Sequence, residues 1–154
     1  MDFRIEGLAP DPFQPLFSLD DHALAARGAR RRVADHNPGF PCRVSLEDAE
    51  PGEEVILVNY EHHAVDSPYR AAGPIYVRRS APRFSETNVV PAMFRHRLMS
   101  FRSYDVSGMM VGADVREGTA FEAAVDSLFA DSSAAYVHVH NAKPGCFACR
   151  VDRA

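Results

Sequence analysis

The stretch AAYVHVHNAKPGCFACRVDR (134–153) decides how this sequence folds and holds most of its chemistry. Valine alternates with histidine over Tyr136–Asn141, the two-residue period of a strand. Lys143-Pro144-Gly145 then supplies a turn: proline presets its own φ, and the glycine after it takes a left-handed conformation at little cost. CFACRVDR runs back as a second strand. The pattern predicts an antiparallel hairpin over 134–141 and 146–152 turning at Lys143-Pro144. An even register pairs positions whose numbers sum to 287, which sets His138 opposite Cys149 with His140 on the same face.

Further strands lie upstream. EVILVNYEHH (54–63) is almost continuously apolar and β-branched, so a central strand is expected over 54–62. FRIEGL, CRVSL and PIYVRR read as shorter strands. RLMSFRSYD and MMVGADVRE read as a hairpin joined at Val106–Gly108. A helix is expected over 19–28, with Ser18 as its N-cap and arginines 30–32 at its C-terminal end. A second is expected over 120–130. Thr119 and Glu122 form its capping box, and Phe121, Ala124, Val125, Leu128 and Phe129 form its buried stripe. Residues 81–91 read as an excursion closing in a short helix near 92–96. The expected class is α+β: a mostly antiparallel sheet of about six strands with two or three helices on one face, in a single domain over 1–154.

Composition narrows the function classes. Hydrophobic residues make up 46% of 154 and charged residues 25%, a balance that excludes disorder and collagen-like repeats. Seventeen basic against twenty-one acidic side chains leave a net charge of −4, which argues against nucleic acid as a partner. No apolar run approaches the roughly 20 residues of a membrane helix, so no membrane association is expected. The start, MDFRIEGLAP, lacks a basic segment followed by an apolar one. Together with only three cysteines, that points to the cytoplasm. Sixteen of the seventeen basic residues are arginine, with Lys143 the single lysine, as GC-rich coding produces.

Several groups carry candidate chemistry. His138, His140, Cys146 and Cys149 offer the imidazole and thiolate ligands that zinc prefers. In a regular strand, however, cysteines three apart face opposite sides, so all four converge only if Cys146 lies in the loop or a bulge. A thioredoxin-like use of Cys-x-x-Cys needs a following helix, for which no room remains. Pro38-Gly39-x-x-Cys42-Arg43-Val44 echoes Pro144-Gly145-x-x-x-Cys149-Arg150-Val151, and adjacency of those segments would bring Cys42 to Cys149 and His138. Glu61-His62-His63 closes the strongest strand beside a loop, where Glu and His make a base–acid pair or ordinary hydrogen-bonded groups. Tyr69 and Arg70 in that loop, or Arg150, would grip an anion; Arg70 equally suits the acidic run at 47–54. The arginines of 27–32 read as a solvated helix end. No Walker loop, G-x-S-x-G elbow or H-E-x-x-H helix is present.

Three stretches resemble domain-of-unknown-function family 1203: PGFPCRVSLEDAEPGEEVILVNYEHH (38–63), SPYRAAGPIYVRR (67–79) and YVHVHNAKPGCFACRVDR (136–153). With the FRIEGL start, the likeness spans nearly the whole chain. It implies a small, mostly bacterial, single-domain protein, and it carries no activity, cofactor or catalytic residue. From the residues themselves the expected function is a small polar or anionic ligand site on the His138/His140 strand and the Cys-x-x-Cys hairpin, with zinc assistance in one version. The alternatives are a non-catalytic structural or interaction module and a thiol-based redox sensor. Whether the protein is an enzyme, and its oligomeric state, stay open at this point.

Overall fold

The computed structural model describes residues 1–154. Nine strands and two α-helices run in the order β1 (Phe3–Glu6), α1 (Asp21–Ala26), β2 (Ala29–Val33), β3 (Glu54–His63), β4 (Ala71–Arg78), β5 (Ser85–Thr87), β6 (Leu98–Tyr104), β7 (Met110–Glu117), α2 (Phe121–Phe129), β8 (Tyr136–Asn141) and β9 (Phe147–Arg153). The class is α+β, as expected, but the strands divide into two antiparallel sheets. One has six strands in the order β5-β1-β9-β8-β6-β7, the other three in the order β2-β3-β4.

Each sheet has its own core. Met99 and Phe101 of β6, Val137 and Val139 of β8 and Val151 of β9 pack against Phe121, Val125 and Phe129 of α2. Phe121 lies edge-on to Phe101 at 5.1 Å and stacks on Phe94 at 5.7 Å, the offset and perpendicular arrangements aromatic rings prefer. In the smaller sheet, Ile56 and Val58 of β3 and Ile75 and Val77 of β4 bury Phe13, Leu16, Phe17 and Leu24. The strand expected over 54–62 is central here, flanked by β2 and β4.

Four local expectations change. The first helix is shorter than 19–28, and its cap is Asp20, whose carboxylate accepts from the Ala23 N–H at 2.8 Å. Arginines 30–32 belong to β2, not to a helix end; Arg31 pairs across the sheet edge with Glu54 at 2.7 Å. Thr119 does not cap α2. Its partner Glu122 is taken by the Arg95 guanidinium, and a 3-10 turn over Gly118–Ala120 leads into the helix instead.

The fourth change positions the site. CRVSL is no strand but a turn in which every residue from Pro41 to Leu46 is buried. Its apolar character reflects burial from all sides, which periodicity does not distinguish from a strand. Its backbone is satisfied by scattered partners: Cys42 N–H by Glu47, Arg43 N–H by Tyr76, and the Arg43 carbonyl by the Leu8 N–H at 2.7 Å. Gly7 lets it approach, since a Cβ there would sit 1.9 Å from the Val44 carbonyl oxygen. Gly7→Ala should therefore destabilise the fold by about 2 kcal/mol or more through overpacking, read as a lower denaturant midpoint at unchanged slope.

Candidate functional site

The C-terminal hairpin forms and turns at Lys143-Pro144, with Gly145 at φ +78°. Its register begins as expected, with His140 opposite Phe147 and the Asn141 N–H bonded to the Cys146 carbonyl at 2.9 Å. A β-bulge then adds one residue on β9. Beyond it His138 faces Arg150, and Val139 faces Cys149. The expected pairing of His138 with Cys149 is thus overturned. A bulge places two successive side chains on one face, and here Ala148 and Cys149 both enter the core under α2.

The opposite face of β8 carries the histidines. His138 and His140, 2% and 1% exposed, are covered by the end of β3, where a second bulge between Tyr60 and His63 turns His62 and His63 toward them. The His62 ring lies 5.1 Å from His140 and 6.1 Å from His138, stacked on Phe147 at 5.0 Å. His63 lies 4.8 Å from His138. His63 donates from Nδ1 to the Tyr69 carbonyl at 2.7 Å, and its Nε2 is hydrogen-bonded to the Tyr136 hydroxyl 2.8 Å away. His140 donates from Nδ1 to the Gly145 carbonyl at 3.0 Å. His62 Nδ1, His138 Nδ1 and His140 Nε2 are buried without a hydrogen-bond partner.

Burial dominates the titration of this cluster. It pushes His138 down to about 2, with His63, His140 and His62 adding repulsion. It pushes His140 down to about 4 against the opposing Gly145 carbonyl bond, and it lowers His62 as well. His62, His138 and His140 are therefore neutral at pH 7.

Beside this cluster opens a cleft of about 520 Å³ between the sheets. Leu57, Pro74 and Tyr76 of the smaller sheet form one wall; Leu98, Asn141 and the Lys143-Pro144 turn form the other. Arg43 also lines it, 1% exposed. Its guanidinium donates to the Phe147 carbonyl at 2.6 Å, to the Pro41 carbonyl, and to Cys146 Sγ at 3.0 Å, and it meets no carboxylate. Burial lowers its proton affinity, and the nearby Cys146 and Cys42 sulfurs oppose that shift. Arg97 also lines the cleft but is neutralised by Asp48 through contacts of 2.9 and 2.6 Å. Asn141 is 6% exposed and donates to Cys146 Sγ at 3.5 Å, while its Oδ1 has no partner.

The expected site residues therefore separate. His62, His138 and His140 come together. Tyr69 contributes its carbonyl to His63, and Arg150 lies 4.0 Å over the Tyr136 ring, tied to Asp152 at 2.6 Å. Arg70 pairs with Glu61 at 2.9 Å on the surface, which removes Glu61 as a base for His62. Cys42 lies in the smaller sheet's core and Cys149 under the larger sheet, so the two do not share a site. Residues 42–44 do reach the second echoed stretch, but through Arg43, which bonds to the Phe147 carbonyl ahead of Cys149. The zinc set His138, His140, Cys146 and Cys149 does not converge, because Cys149 points away from the histidine face; no three His, Cys, Asp or Glu side chains take up metal-binding geometry. Arg43 and Asn141 were not singled out from sequence. The Cys-Arg-Val echo marked the right segment but pointed to its cysteine.

A family model described as a protein of unknown function, DUF1203, matches residues 39–153. The chain belongs to the DUF1203 family. No curated protein and no solved structure matches it. The three stretches on which the DUF1203 resemblance rests meet at the cleft: Arg43 and Leu57 come from the first, Pro74 and Tyr76 from the second, Asn141, Lys143 and Cys146 from the third.

The buried imidazoles make the fold acid-sensitive. An unfolded chain protonates its histidines near 6.5, whereas folded His140 and His138 resist protonation down to about 4 and about 2. The stability they contribute is complete above pH 6.5 and lost as the pH falls. The slope between 6.5 and 4 should be about 1.4 kcal/mol per pH unit for each of the two. Denaturant midpoints measured across that range should show it, and His138→Asn should flatten the slope by one histidine's share.

Proposed function

We propose that this protein binds a small organic anion, a carboxylate or phosphate ester with an apolar body, in the Arg43–Asn141–Lys143 cleft. The observation that carries this reading is the Arg43 guanidinium, buried in the cleft wall with no carboxylate beside it. Buried charges are ordinarily paired, and a guanidinium is the group best shaped to bind planar oxyanions. Lys143 is exposed at the mouth and adds a second positive charge. Leu57, Pro74, Tyr76 and Pro144 offer apolar surface to the rest of the ligand, the usual mix of an apolar pocket with a few convergent polar groups. The His138/His140 strand contributes through its last residue, Asn141, and the hairpin through Cys146.

The imidazole cluster acts in this reading as a rigid floor. Phe147 links it to the cleft, with its ring stacked on His62 and its carbonyl bonded to Arg43. No helix is long and apolar enough to cross a membrane. We place the protein's work in the cytoplasm, on a small molecule rather than on nucleic acid.

Titration of labelled protein with inorganic phosphate and with benzoate, followed by NMR, tests the reading. Shifts should concentrate at Arg43, Asn141 and Lys143, saturating in the millimolar range or tighter. The exposed Lys143→Glu should weaken binding by about tenfold, equivalent to about 1.4 kcal/mol. Shifts scattered over the arginine-rich surface, or unaffected by Lys143→Glu, would sink it.

A further inference from the structure

We propose that Cys146 is a nucleophilic, peroxide-oxidisable thiol, with its sulfur held by the Arg43 guanidinium at the wall of the cleft. The inference uses the same cleft as the anion-binding reading but does not require the anion.

Three features of the surroundings converge on this sulfur. Arg43 Nη2 lies 3.0 Å from Cys146 Sγ, and the guanidinium's two other bonds go to the carbonyls of Phe147 and Pro41, which cannot neutralise it. Cys146 is thus the only side chain hydrogen-bonded to Arg43 that can turn negative. Asn141, which lines the cleft, donates from Nδ2 to the same sulfur at 3.5 Å, and its Oδ1 is buried without a partner. Cys146 itself is half-buried and lines the cleft, so small reagents reach it. Reactive cysteines occupy such electropositive, partly accessible sites, whereas cysteines in apolar cores are inert. Cys42 and Cys149 are of the second kind, both buried, and burial pushes the Cys149 thiol up. The chain carries its own controls.

The step is a two-electron oxidation. The sulfur of the thiolate attacks the terminal oxygen of a hydroperoxide, so that an S–O bond forms as the O–O bond breaks. The sulfur becomes a sulfenic acid, and the departing alkoxide takes a proton from water to leave as the alcohol. Two equivalents of a small-molecule thiol then restore the cysteine, producing their own disulfide and water. Cys149 points into the core beyond the bulge, on the other face of the hairpin, so it is not placed to condense with the sulfenic acid.

Full-length native protein treated with one equivalent of hydrogen peroxide and then with a 1,3-diketone should carry the sulfenic-acid adduct on Cys146. Peptide mass spectrometry should find that adduct at least about tenfold above Cys42 and Cys149. At pH 6 iodoacetamide should alkylate Cys146 about tenfold faster in the native protein than in urea, where access is greater but Arg43 is gone. Arg43→Met should abolish that advantage while Arg43→Lys retains part of it. Should neither variant fold, the native-against-urea comparison decides alone, since an ordinary accessible thiol reacts no faster when folded. Equal labelling of the three cysteines, a slower native rate, or a Cys146–Cys149 disulfide as the main product would overturn the proposal. Phosphate and benzoate binding is read separately by NMR, so loss of anion binding with selective labelling intact refutes only the anion reading, and the converse only this one.

Discussion

A guanidinium without a carboxylate sits where the two sheets meet, and much of the architecture serves to hold it there. Desolvating such a charge costs several kcal/mol, which only well-aimed hydrogen bonds offset. Arg43 finds them in two carbonyls and a sulfur, one carbonyl from its own turn and the other from Phe147 at the start of β9. The interaction therefore ties the buried turn over 41–46, which bridges to Tyr76 of the smaller sheet, to the central hairpin of the larger one. Gly7 allows the turn to lie that close, and the cleft is the space left between the walls so joined.

The bulge on β9 sorts the chemistry of the hairpin. Without it, Cys149 would stand beside His138, and a mixed imidazole–thiol site would form on one face. With it, Ala148 and Cys149 both fill the core under α2, Phe147 remains on the histidine face as a stacking partner for His62, and Cys146 stays at the cleft. One inserted residue separates an inert thiol from an accessible one.

The elements most legible in the sequence were those with a sustained local pattern. β3 appears where its apolar, β-branched run placed it, the β6–β7 hairpin where its glycine-containing connection did, and the buried stripe of α2 where helical spacing did. The turn over 41–46 was illegible because burial on every side erases the period that tells strand from loop. The cap of α2 was misread because Glu122 had a stronger partner in Arg95, distant in sequence. Of the candidate site, the meeting of His138 and His140 followed from strand parity alone. Their approach to His62 depends on how two sheets pack, and local sequence does not encode that. Parity also showed that Cys146 and Cys149 would be separated, but it took the bulge to decide which of them entered the core.

The larger sheet is closed by its most distant parts. β1 lies between β5 and β9, with Phe3 opposite Arg153, so a strand from the beginning of the chain pairs with the last one. Bringing such remote segments together costs chain entropy before any contact rewards it. The β6–β7 hairpin is joined through local contacts, whereas β1 and its partner β5 connect to the rest of the sheet only through β9. Folding should accordingly proceed from the β7 edge toward β1, with the Arg43 turn settling late, since Leu8 and Phe84 at the β1 end supply two of its backbone hydrogen bonds. On a ribosome, the cleft would be among the final features to form, after the whole of β9 had emerged.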